Sequence, residues 1–223
     1  MKRTKLSDRL LPDYTRGEEI MNMVTHIVGG GLGVLALILC VVRAAMRGNL
    51  YGVVSGAIYG TSMIFLYTVS SVYHGLRPST AKKVMQVLDH CVIYILIAGT
   101  YTPILFSALR PAAPGWAWTL FGAVWGMAAV AITFTAIDLK KYAVFSMICY
   151  IGMGWCVVAA WKTVVSVLHP AGLQLLLWGG IAYTVGAVLY GLGSRRRYMH
   201  GAFHVFVVLG SVLQFLCVFL YVI

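Results

Sequence analysis

Negative charge is scarce in this sequence, with six Asp and Glu against 17 Lys and Arg among 223 residues. Charged residues of both signs reach only 10%, while 61% of the chain is apolar; an ordinary soluble domain is about a quarter charged. A soluble globule of this size leaves about a quarter to a third of its unfolded surface in water, and it could not hide so much hydrocarbon. That excludes a soluble enzyme and a disordered tail. Cysteine is sparse and unpatterned: Cys40, Cys91, Cys149, Cys156 and Cys217 include no CxxC and lie mostly inside apolar runs. They read as small buried hydrophobes, not as a disulfide framework. Alternating ten-residue strands are missing, which excludes a membrane barrel. The opening MKRTKLSDRLLPDYTRGEE lacks the apolar core of a cleavable signal peptide, so the first apolar segment is expected to stay as an anchor.

What is present is seven apolar stretches, at about 20–42, 51–76, 86–109, 116–137, 142–168, 173–193 and 199–222. Each approaches or exceeds the twenty or so residues that cross a bilayer, and backbone in lipid must satisfy its own hydrogen bonds, so these are helices. The expected fold is an all-α integral membrane protein: a cytoplasmic segment over 1–19 and a seven-helix bundle over 20–223. The basic residues set its orientation. Lys2, Arg3, Lys5, Arg9, Arg16, Arg77, Lys82, Lys83, Lys140, Lys141, Arg195, Arg196 and Arg197 fall on one side, and Arg43, Arg47, Arg110 and Lys162 on the other. The N-terminus is therefore expected in the cytoplasm and the C-terminus outside. Basic clusters between apolar runs anchor loops to an anionic leaflet, and they do not call for nucleic acid.

Small residues recur at Gly52, Gly56 and Gly60 and at Gly122 and Gly126, a spacing that lets helices pack closely. Pro103 predicts a local kink or stop in the third helix.

Ionisable groups in such helices are costly and mark candidate sites. They are Glu19, Asn22 and His26 on the first helix, Ser70 and His74 on the second, Asp89 and His90 on the third, and His200 and His204 on the seventh. All fall at one depth near the expected cytoplasmic face. His200 and His204 share a helical face, as do Ser70 and His74. Three imidazoles with one open position are what a catalytic zinc site requires, and Asp89 is placed to hold or deprotonate a water there. The alternative is a hydrogen-bonded polar cluster that locks the bundle. Asp89 and His90 lie about 100° apart on their helix, which predicts that His90 packs elsewhere. Glu19 and Asn22 are expected to cap or tether the first helix, His26 to be a hydrogen-bonded core residue or a substrate contact, and His169 to be solvated.

EEIMNMVTHIVGGGLG, SSVYHGL, LDHCVIYILIAGTYTP, MGW at 153–155 and HGAFH resemble, in order, the motifs of bacterial haemolysin III proteins. These group with the progestin and adipoQ receptor family and more remotely with alkaline ceramidases. The resemblance implies a multi-pass cell-membrane protein with Zn²⁺ held by His74, His200 and His204, and with Ser70 and Asp89 as the catalytic pair. It also implies a role in membrane lipid homeostasis, with hydrolysis of a lipid amide or ester as the expected chemistry. Pore formation (haemolysis) and a non-catalytic lipid sensor or receptor with structural zinc are the alternatives. Membrane lipids are the expected partners.

Overall fold

The computed structural model describes residues 4–193 and 196–223, so Lys2, Arg3 and Arg195 of the basic side lie outside the described residues. The described residues form helices without any strand. Seven helices are long and apolar enough to span a membrane. We number them α1 (Arg16–Met46), α2 (Leu50–Gly75), α3 (Thr80–Pro103, continued by Ile104–Leu109), α4 (Pro114–Ile137), α5 (Ala143–Val167), α6 (Pro170–Gly193) and α7 (Met199–Cys217, continued by Val218–Val222).

Local chemistry sets the helix starts. Thr15 and Glu18 form a reciprocal capping box, so α1 begins four residues before its apolar run. Asn49 accepts from the Gly52 amide at 2.9 Å and Ser79 from the Lys82 amide at 3.2 Å. Each satisfies an orphan donor of a first turn. Pro103 does not stop α3: the chain runs on through a π-helical stretch, Ile104–Leu109. Proline removes one intrahelical donor, and a wider turn absorbs the loss. In α5 the helix breaks after Gly154 and a 3₁₀ stretch spans Cys156–Ala160. There the Tyr101 hydroxyl donates to Gly154 O at 2.7 Å and accepts from Val157 N at 3.1 Å. The break is stitched by one phenol.

One stripe of α1 faces the interior: Glu18, Asn22, His26, Gly29, Gly33, Ala36, Cys40 and Ala44 are buried. It is polar at the N-terminal end and small beyond it, while Ile27, Val28 and Ile38 point outward to lipid. The small half lets α2 approach. A methyl at Gly60 would strike the Leu37 main chain, and one at Gly56 would lie 3.1 Å from Cys40 Cβ. The stripe on α4 behaves differently, because nothing lies within 4 Å of a methyl at Gly122 or Gly126. These two glycines face outward, so their expected packing role is corrected. Regular spacing marks a face, not its neighbour. Gly60→Ala should therefore cost about 1–3 kcal/mol through overpacking. Gly122→Ala should hold or raise the melting temperature, since Ala favours a helix by about 1 kcal/mol over Gly.

The end of the bundle that carries the N-terminus is not bare. Residues 4–15 lie across it as a strap. The Thr4 amide donates to Asp138 Oδ2 at 2.8 Å, and Lys83 Nζ donates to Ser7 O at 2.5 Å. The Thr4 amide, then that of Lys141, holds the Asp138 carboxyl at about 2, below its ordinary 3.8. A depressed pKa means the tether contributes fully above about pH 4 and fades as pH falls through 2. Amide-exchange protection of Thr4, corrected for intrinsic rate, should follow that titration. At neutral pH it should be mostly lost in Asp138→Ala.

Candidate metal centre

His74 ends α2, while His200 and His204 occupy the first two turns of α7. The start of α7 is set by Tyr198, whose φ of 62° is rare for a residue with a side chain. Glu18 of α1 steadies that turn by accepting the Tyr198 amide at 2.7 Å. The three imidazoles then converge. His200 Nε2 lies 3.0 Å from His204 Nε2 and 3.4 Å from His74 Nε2. One ligand nitrogen from each of the three falls within 4.8 Å of the others, so the trio can hold one metal ion.

The backs of two rings are pinned. His74 Nδ1 lies 2.6 Å from Glu19 Oε2, whose other oxygen accepts from Lys82 Nζ at 2.6 Å. His204 Nδ1 lies 3.2 Å from the main-chain oxygen of Asn22. Carboxylate and carbonyl oxygens only accept, so both rings carry their proton on Nδ1 and turn the Nε2 lone pair inward. A carboxylate or carbonyl behind a ligating imidazole is the usual support of a metal site. Two inward lone pairs 3.0 and 3.4 Å from a third ring nitrogen are what a borderline-soft cation such as Zn²⁺ satisfies. The donor set fits zinc. Tyr14, in the strap, stacks on His200 with ring centroids 5.1 Å apart and closes the site from the N-terminal end. Burial pushes its phenol well above the ordinary range, and the nearby Glu19 carboxylate adds to the shift. It stays a neutral cover.

Asp89 and Ser70 share one cavity with His200 and His204. The cavity measures 160 Å³ and runs between apolar walls as far as Gln214. Gln214 lies ten residues beyond His204 on α7, about 15 Å of helical rise. Ser70 Oγ is buried with no hydrogen-bond partner, and so are both ring nitrogens of His26. His26 is thus not a hydrogen-bonded core residue. It stacks flat on His204 at 3.6 Å and lines the cavity.

His90 differs from expectation as well: it lines the cavity beside Asp89, so the opening takes in two positions about 100° apart on α3. Its ring is nonetheless occupied, by Gln86 O at 2.8 Å and the Tyr190 hydroxyl at 3.2 Å. His169 is exposed, as expected. Glu19 and Asn22 do not cap α1, which Thr15 and Glu18 do; they tether it, Glu19 to His74 and Lys82 and Asn22 to His204. Lys82, expected only as a loop charge, is 3% exposed and anchors Glu19. One signal was available: with six acidic residues in the chain, a second one directly after the capping glutamate had no capping work to do.

A family model described as "Haemolysin-III related" matches residues 14–215. Hemolysin-3 of Bacillus cereus is 39% identical over 205 residues, 92% of each chain. A Hemolysin-3 homolog of Bacillus subtilis (strain 168) is 36% identical over 208 residues, 93% of this chain and 96% of that one. The human Monocyte to macrophage differentiation factor is 29% identical over 172 residues, 74% of this chain and 68% of its own. Seven spans, a histidine trio joining α2 to α7 and these matches lead to one conclusion: the chain belongs to the haemolysin III-related family of multi-pass membrane proteins.

Proposed function

We propose that this protein is a zinc-dependent hydrolase of a lipid amide or ester, acting in membrane lipid homeostasis in the cell membrane. The observation that carries the reading is a histidine trio, two rings of it pinned from behind, of which His200 and His204 line a long apolar cavity together with Asp89 and an unpartnered Ser70 hydroxyl. His74, His200 and His204 would hold the zinc. A zinc ion there supplies Lewis acidity, lowering the pKa of a water and polarising a carbonyl. The chain supplies the rest. Asp89 takes the proton of the attacking water and returns it to the leaving amine or alcohol. Ser70 donates its hydroxyl to the oxygen on which charge develops. The apolar walls hold the acyl chain along the bundle axis and keep bulk water out. Glu19 and Asn22 orient the ligating rings.

Purified zinc-loaded protein in mixed micelles should release fatty acid from a ceramide or from a monoacylglycerol, and His204→Ala should not. No release from either lipid class would end the hydrolase reading and favour a regulator with structural zinc. Lipidomics of a deletion strain complemented with wild type or His200→Ala carries the same test into the cell. The Bacillus cereus relative bears the name hemolysin, and dye release from loaded vesicles by the purified protein is the outcome that would favour pore formation here.

The same reading places the N-terminus and the metal centre on the cytoplasmic side. A periplasm-active reporter fused after Ile223 should give signal, and one fused after Arg197 should not. The opposite pattern reverses the orientation.

A further inference from the structure

A second pocket, 420 Å³, lies under the strap and borders His200 from the N-terminal side. Its notable member is Arg9. The side chain is only 9% exposed, and its Nε and Nη1 are buried without a hydrogen-bond partner. Nη2 alone reaches an oxygen, that of Ile137, at 3.5 Å. A guanidinium cannot shed its proton to escape burial, and a buried charge whose hydrogen bonds are left unfilled is costly.

No carboxylate touches it, although the Asp138 carboxyl lies near enough to feel its charge. Asp138 spends its oxygens on the amides of Thr4 and Lys141, and no ion pair within 4.0 Å joins it to Arg9 among the described residues. Asp8 stands at the rim, exposed and accepting from the Ser7 hydroxyl. Lys140 adds a second positive charge to the lining, and Gln86, Tyr14 and Tyr73 add polar groups. Leu10, Pro12 and Met147 add an apolar stretch to a wall that also holds His90, Ser146 and His200.

We propose that this pocket binds a phosphate group, with Arg9 as its principal donor and Lys140 as its rim charge. A phosphate offers several oxygens to the three unspent N–H groups of Arg9, and such charge-assisted bonds are the strong ones. It converts a costly buried cation into a satisfied pair. The apolar wall suits the glycerol and first methylenes of a phospholipid, and the polar part alone suits free phosphate. His90, Met147, Tyr150, Tyr190 and His200 also line the first cavity, but Arg9 and Lys140 do not, and phosphate binding there is independent of the hydrolase reading.

Calorimetric titration of the purified full-length protein, zinc content verified and ionic strength held constant, tests this. The probes are inorganic phosphate, dihexanoyl phosphatidic acid and dihexanoyl phosphatidylcholine. Wild type should bind a phosphate monoester, Arg9→Gln at least tenfold more weakly, and Arg9→Lys in between. Lys140→Glu, at an exposed position that folding tolerates, should weaken binding about fivefold and decides the matter if Arg9→Gln fails to fold. Phosphatidic acid binding much more tightly than inorganic phosphate assigns the site to a lipid headgroup, and equal affinity assigns it to free phosphate. No binding by wild type, or equal affinity in wild type and Lys140→Glu, overturns the proposal. Zinc content should be unchanged in every variant.

Discussion

Zinc content should fall from about one per chain to none when His74, His200 and His204 are all replaced by Ala. X-ray absorption on the wild type should show nitrogen ligands at about 2.0–2.1 Å. A ligand held only by the folded state stabilises it by about 4 kcal/mol at a thousandfold excess over Kd. Chelation should therefore lower the wild-type melting temperature by several degrees and leave the triple variant unmoved. Glu19→Gln is the graded version of the test. It keeps the shape behind His74 but removes the charge shared with Lys82. Loss of such a back-side partner costs about 10–100-fold in metal affinity. Unchanged metal content in the triple variant would place any zinc somewhere else.

The second large effect is expected at Asp89. Asp89→Asn keeps the volume and one acceptor oxygen and removes the group that takes a proton. A positioned base is worth about 10²–10⁴-fold in rate. Lipid turnover should drop by that factor while zinc stays near one per chain, since the three imidazoles are untouched. Full zinc with full turnover would strip Asp89 of the base role. The variant separates the two uses of a carboxylate beside a metal, because orienting a water needs only an acceptor and deprotonating it needs a basic one.

The spans were legible because hydropathy reports the free energy of entering lipid, and each helix enters largely on its own account. The i,i+4 pair His200 and His204 was legible for a related reason, since helical geometry alone puts both on one face. What lay across a gap was not. Glu19 behind His74 and the Asn22 carbonyl behind His204 depend on how α1 sits between α2 and α7. No periodicity within α1 encodes those partners. Gly122 and Gly126 repeat as Gly56 and Gly60 do, yet only the latter pair meets a helix. The expectation of a cytoplasmic segment over 1–19 carries no sign of a strap, because its attachments, Asp138 and Lys83, are far away in sequence.

That dependence has a consequence for how the protein is made. His74 and His200 are 126 positions apart, and α7 leaves the ribosome after the other six spans. A nascent chain halted after α6 owns only His74 of the three imidazoles. The turn at Tyr198 that aims the other two is held by Glu18, from the first helix. A metal held by the trio would thus be captured only once α1 and α7 meet, and its presence would report that these seven spans have been inserted and closed.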